Sequence, residues 1–137
     1  MTESTMTESK STVLAYLDAL GERDIDRVRA LLAESAEYHV AGSHPLSGVW
    51  AGRDAILNEF MLPMARLFDP NEPYSVDVRT VVAEGEHVVI ECLTTGTTTT
   101  GRGYRNPIVA IFTVRENCVQ KVAEYFDTEL FARTLFG

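Results

Sequence analysis

The chain has 137 residues, with 12 Lys and Arg against 20 Asp and Glu, giving a formal net charge of −8. That length suits one domain able to bury a proper core. An acidic chain without a basic cluster is repelled by phosphate backbones and anionic lipid, which sets nucleic acid and membrane partners aside. The apolar runs are too short to span a bilayer, and the polar opening MTESTMTESK is not a secretory signal. Cys92 and Cys118 lack metal-ligand spacing and sit in strand-like sequence, where they read as buried apolar residues. These features fit a reducing cytoplasm.

Residues 1–10 read as a disordered tail, with MTES repeated at Met1 and Met6 as two candidate starts, and residues 11–137 as a single domain. Ser11 or Thr12 can N-cap a first helix, TVLAYLDAL, that ends at Gly21. Val13, Leu14, Leu17 and Leu20 form its apolar stripe, flanked by Tyr16. Asp24 can cap a second helix, IDRVRALLAE. Residues 36–41 alternate weakly, as a short strand does, and the turn-rich 42–52 runs around the rim. A third helix starts at Arg53 or Asp54 with Ile56, Leu57, Phe60 and Met61 on its buried side, and Pro63 is expected to end or kink it. Residues 74–84 form a strand that turns at Gly85-Glu86. TELFARTLF closes the chain as a helix capped by Asp127 or Thr128.

Between these lies the stretch Val88 to Asp127, rich in β-branched and aromatic residues and broken at Gly101-Arg102 and Glu116-Asn117. Two-residue hairpin loops at both breaks would set Glu91 opposite Phe112, Ala110 opposite Ala123 and Asn106 opposite Asp127. One face would then carry Glu91, Leu93, Tyr104, Asn106, Ile108, Ala110, Phe112, Tyr125 and Asp127. That is an apolar wall with a few polar groups aimed into it, as in a small-molecule pocket. A β-bulge in either hairpin would flip part of the assignment. Segregated helices and a curled antiparallel sheet define an α+β layer, cone-shaped and dry inside, with three N-terminal helices on the open side.

YLDALGERDIDRVRALLAESAEY, PLSGVWAGRDAI, VVIECLTTGT, GRGYRN and EYFDTELF, in this order and spacing, resemble the nuclear transport factor 2-like superfamily, in its SnoaL-like, ketosteroid-isomerase-related branch. The resemblance covers nearly the whole chain from about Val13. It implies a cone-shaped, cystatin-like α+β barrel, commonly a homodimer packed through the sheet, with a hydrophobic cavity between sheet and helices. It does not fix a reaction, since the superfamily spans isomerases, polyketide cyclases, dehydratases, epoxide hydrolases and binding proteins. Of the steroid isomerases' groups, Tyr16 fits the oxyanion-donor tyrosine. The base position falls at Val40 or Ala41 and the second aspartate position near Ala110, so that constellation is incomplete; the epoxide hydrolases' Asp-Arg-Asp set is not evident.

Glu91 is the leading candidate for proton transfer, because a carboxylate inside an apolar strand is raised in pKa by burial. The alternative is a Glu91 that points outward and is solvated, or one that pairs with Lys121 or Arg79. Asn106 could orient a carbonyl or hydroxyl and Tyr104 could donate to a developing oxyanion; the plainer readings are a strand-end amide and rim packing. His39 lies near the position of a family base and has a pKa suited to neutral pH, or is simply an exposed strand histidine. Trp50, Phe60, Met64 and Phe112 could line the pocket, and Asp127 could either bind substrate beside Asn106 or cap the last helix. Glu124 falls on the opposite face unless a bulge intervenes. His44 reads as an exposed rim residue and His87 as part of a hairpin turn. The three histidines show no metal spacing, and neither metal nor cofactor is expected. The chemistry these residues suggest is non-covalent acid–base work on a small hydrophobic carbonyl or hydroxylated molecule. The other reading is a non-catalytic module that binds a lipophilic ligand or dimerises.

Overall fold

In a computed structural model, residues 3–137 are described, with side chains from Glu8 onward. Helices α1 (Glu3–Gly21) and α2 (Ile25–Leu31) are followed by strands β1 (Leu32–Val40) and β2 (Gly48–Ala51). A third helical segment runs as α3 (Arg53–Ala55), a π-helical turn (Ile56–Met61) and α4 (Leu62–Ala65). Strands β3 (Ser75–Glu84), β4 (His87–Thr97), β5 (Gly103–Arg115) and β6 (Cys118–Phe126) lead to helix α5 (Thr128–Phe136). The six strands form one sheet in the order β2-β1-β6-β5-β4-β3, antiparallel except where β1 runs parallel to β6. This is the expected α+β architecture, with helices packed on one face of the curved sheet.

Several boundaries differ from the expectation. Helix α1 begins at Glu3 within the expected tail; positions 1 and 2 lie outside the described residues. MTESTMTESK holds neither Gly nor Pro, so a helix nucleated downstream can propagate through it, and Ser9 is already buried. Helix α2 is capped as expected, the Asp24 carboxylate accepting from Arg27 N–H at 3.2 Å. It stops at Leu31, and the chain passes directly into β1. The rim segment contains β2, which pairs Trp50 with Tyr38.

Pro63 does not end the third helix. The Leu62 N–H donates five residues back, to Leu57 C=O, so the widened turn closes before the proline. Pro63 then occupies the first turn of α4, where its missing N–H needs no partner. The same widened turn buries Ile56, Leu57, Phe60 and Met61 together.

The two long hairpins depart from the simplest registers in different ways. The β4–β5 loop holds five residues: Thr97 pairs with Gly103, and Thr98 N–H donates to Arg102 C=O at 2.8 Å. Glu91 therefore opposes Val109. That is a slip of three, and an odd slip turns β4 over. Val88, Ile90, Cys92 and Thr94 face inward, while Glu91 faces out. The β5–β6 turn is Glu116-Asn117 as expected, both residues left-handed (φ 55 and 59), as a type I′ turn requires. Just beyond it the register shifts between Thr113 and Val114, so that Ala110 opposes Glu124 instead of Ala123. The bulge turns β6 over as well: Val122, Glu124 and Phe126 point inward and Tyr125 outward.

Candidate active site

Between the sheet's inner face and the helices lies a cavity of about 380 Å³. Its walls are apolar, from Phe60, Met61 and Met64 of the third helical segment to Ile90, Phe112 and Phe131. Its exposed lining residues, Arg23, Ile25, Ala65 and Pro70, mark the mouth. A few polar groups converge within, Tyr38, Tyr74, Thr94, Tyr104 and Glu124 among them.

Glu124 is the acid of this site. It projects from β6 beside Val40 of β1 and Ala110 of β5. Burial pushes its carboxyl up to about 7; the hydroxyl of Tyr38 works against that rise by bonding the charged form. Tyr38 is fully buried, and its own phenol is held well above the usual tyrosine range, chiefly by burial and then by the negative charge of Glu124. Behind it, Tyr16 and Tyr38 share a 2.8 Å hydrogen bond. When Glu124 is ionised, the single Tyr38 proton turns to the carboxylate, so Tyr16 becomes the donor in that bond. A buried chain therefore runs from α1 through β1 to the cavity: Tyr16, Tyr38, Glu124.

A second polar group sits on β5. Asn106 is fully buried, and both ends of its amide are engaged. Its Nδ2 donates to Tyr104 Oη and to Asp127 C=O, both at 3.0 Å, and its Oδ1 accepts from Asp127 N–H at 3.3 Å. With its oxygen accepting from Asn106, Tyr104 keeps its own O–H free to donate into the cavity it lines.

The residues singled out in the sequence are divided by this geometry. Phe60, Met64, Phe112 and Tyr104 line the cavity. Tyr16 lies one residue behind the wall. Asn106 positions Tyr104 and the start of α5 and lies outside the cavity lining. Glu91 is on the exposed face, its Oε1 accepting from Thr80 Oγ1 at 2.8 Å, because the five-residue loop reverses β4. His39 also points away: it alternates with the inward Tyr38 and Val40 and bonds Glu37 at 3.0 Å. Trp50 stacks on Phe60 at 6.1 Å and gives its Nε1–H to Leu46 C=O, supporting the wall from outside the cavity lining. Asp127 is exposed and caps α5, accepting from Leu130 N–H at 3.0 Å.

His44 is buried rather than exposed: its Nδ1 accepts from Leu46 N–H, and its ring lies 4.5 Å from that of Phe131, so its pKa is lowered, chiefly by burial. His87 opens β4 just after the Gly85-Glu86 turn and is exposed. Cys92 lines the cavity as a free thiol pushed up to about 11, mainly by burial. Among the described residues no three His, Cys, Asp or Glu side chains gather as a metal site would require, and no helix is long and apolar enough to cross a membrane.

Tyr38 and Glu124 are the residues that sequence reasoning missed. The alternation of Ala36, Tyr38 and Val40 carried the first signal. The second was the spacing of three between Val119 and Val122, which breaks a strand's period of two and marks the bulge.

The fold and site have counterparts. The profile of the SnoaL-like domain matches residues 13–125, and the chain belongs to that family, within the nuclear transport factor 2-like superfamily. A nuclear transport factor 2-like protein of Burkholderia xenovorans LB400 is 27% identical over 95% of this chain and 97% of its own, with a TM-score of 0.77. An epoxide hydrolase of Mycobacterium tuberculosis, described as LEH-like, is 23% identical over 95% of this chain and 90% of its own (TM-score 0.74). A SnoaL-like protein of Jannaschia sp. CCS1, described as a polyketide cyclase, is 19% identical over 98% and 96% (TM-score 0.75). At those identities the last two establish the shared fold alone. No curated protein matches the chain in sequence.

Proposed function

We propose that this protein is an acid–base enzyme of the isomerase, cyclase or dehydratase type, acting on a small hydrophobic carbonyl or hydroxylated molecule. The observation that carries the reading is Glu124, a carboxyl inside an apolar cavity and pushed up to about 7. A base poised near neutrality gives and takes protons efficiently. In the ionised form Glu124 removes a proton from carbon next to a substrate carbonyl. The electron pair moves to the carbonyl oxygen, and Tyr104 O–H donates to the oxyanion that develops. Glu124 then returns the proton to another atom, or gives it to a departing hydroxyl. Asn106 and Tyr16 act as positioning residues, one fixing Tyr104 and the other supplying Tyr38 with a hydrogen bond. A cavity made only for sequestration has no need of a titratable acid in its wall, which favours catalysis over simple binding.

The test does not require the natural substrate. Small apolar ketones in D2O should exchange their α-hydrogens faster with the wild-type protein, and Glu124→Gln should lower that rate by about 100-fold or more. Equal rates for the two proteins across the panel would leave a ligand-binding module.

The assembly we propose is a homodimer through the outer sheet face. Val89, Val109, Ile111 and Tyr125 are 37%, 41%, 41% and 55% exposed there, a continuous apolar patch on three neighbouring strands. Ile111→Asp should shift the light-scattering mass from two subunits to one; a wild-type monomer at micromolar concentration would refute the assembly.

A further inference from the structure

Arg23 stands in the turn between α1 and α2 and lines the cavity at its mouth. Its backbone is left-handed (φ 58), a conformation that non-glycine residues rarely adopt. The guanidinium is held in three ways. Nη2 donates to Glu72 C=O at 3.0 Å, Nη1 donates to Asp69 C=O at 3.4 Å, and the group lies 5.1 Å over the ring of Tyr74. Tyr74 is itself fixed at the entrance, where Gly96 leaves room for Phe68 and Tyr74 to close on β4; a Cβ there would meet both rings at 3.0 Å.

These anchors orient the guanidinium without neutralising it. Both hydrogen-bond acceptors are backbone carbonyls, and among the described residues Arg23 makes no ion pair. The nearby carboxylates make no ion pair with it: Asp18 and Glu22 pair with Arg27 at 2.9 and 3.6 Å, Asp24 caps α2, Asp69 accepts from Asn71 N–H at 2.9 Å, and Glu72 meets Arg23 through its backbone carbonyl. Five N–H donors less the two in use leave three for a ligand. Among the described residues no other lysine or arginine lines the cavity. In a protein of net charge −8, an anion gains little from the long-range field, so a local cation decides whether one is held.

We propose that the cavity takes amphipathic acids: an apolar body inside, and a carboxylate or other anionic oxygen at the mouth received by Arg23. The inference rests on the cavity being the substrate site, and it assigns Arg23 as the residue that selects charge.

Isosteric probes separate the charge from the body. Calorimetric titration with 2-naphthoate and with neutral 2-naphthamide should show the acid binding at least about tenfold more tightly to the wild-type protein, a difference of about 1.4 kcal/mol. Arg23→Gln should abolish that preference while leaving the amide within about twofold, and Arg23→Lys should keep part of it. Equal affinities in the wild-type protein, an undiminished preference in Arg23→Gln, or no binding of either probe overturns the proposal. The outcome is independent of the ketone-exchange experiment. Loss of the naphthoate preference with Glu124-dependent exchange intact removes only the role of Arg23; the converse removes only the proton chemistry.

Discussion

The sheet carries one carboxylate near the middle of each face, and the two have different surroundings. Glu91 on the outer face meets solvent and a threonine hydroxyl at 2.8 Å. Glu124 on the inner face looks into an apolar cavity with tyrosine as its partner, and its carboxyl is pushed up to about 7. Both project from β-strands, on β4 and β6, with β5 between them. The contrast teaches that the surroundings of such an acid are set by the side of the sheet it faces, and that an odd change of register decides that side.

The widest separation between the two acids should appear in stability against pH. The unperturbed pKa of Glu124 is 4.5 and its folded value is about 7. Between those values the folded protein holds a proton that the unfolded chain has released. The contribution of Glu124 to stability is thus complete below about pH 4.5 and is lost as pH rises through 7, a loss of roughly 3 kcal/mol. Glu124→Gln should remove that loss. Urea unfolding at pH 5 and pH 8 should show the variant gaining roughly 3 kcal/mol on the wild type between the two, and parallel behaviour would break the comparison.

A smaller effect sharpens it. Tyr16→Phe takes away the hydrogen bond at 2.8 Å behind Tyr38 and should cost about 1 kcal/mol. It should also raise the Glu124 pKa further, because Tyr38 becomes a poorer donor to the carboxylate; carboxyl NMR titration reads this directly. A shift in the opposite direction would contradict the proposed order of the chain. The smallest effect belongs to Glu91→Gln, which should change monomer stability by no more than about 0.5 kcal/mol and leave ketone exchange untouched.

Much of this was legible in the residues. The face of β5 that carries Tyr104, Asn106, Ile108, Ala110 and Phe112 follows from alternation alone, and Asp24 and Asp127 announce their helices. The site was less legible because it depends on which partner residues come opposite that face. TTTTGRGY offers glycines at 101 and 103 and so permits more than one loop length. Both sides of β4 are also apolar enough to be buried, so hydrophobicity could not choose between Val88-Ile90-Cys92 and Val89-Glu91-Leu93. In β6 the extra residue near Gln120 is visible only as a broken rhythm between Val119 and Val122. Local chemistry specified the strands; the pairing that brought Glu124 to Tyr38 is a non-local property.

The π-helical turn at Ile56–Met61 gives the cavity an adjustable wall. It accommodates one residue more than an α-helical turn, so removing a residue such as Asn58 would let the segment rewind. Residues downstream would keep their phase, because the widened turn had already absorbed the extra residue, so Met64 would stay on the lining while the wall at Ile56–Met61 narrowed. A lineage that shed or gained that residue would resize the chamber for a different guest while the sheet, its acid and its tyrosines stayed in place.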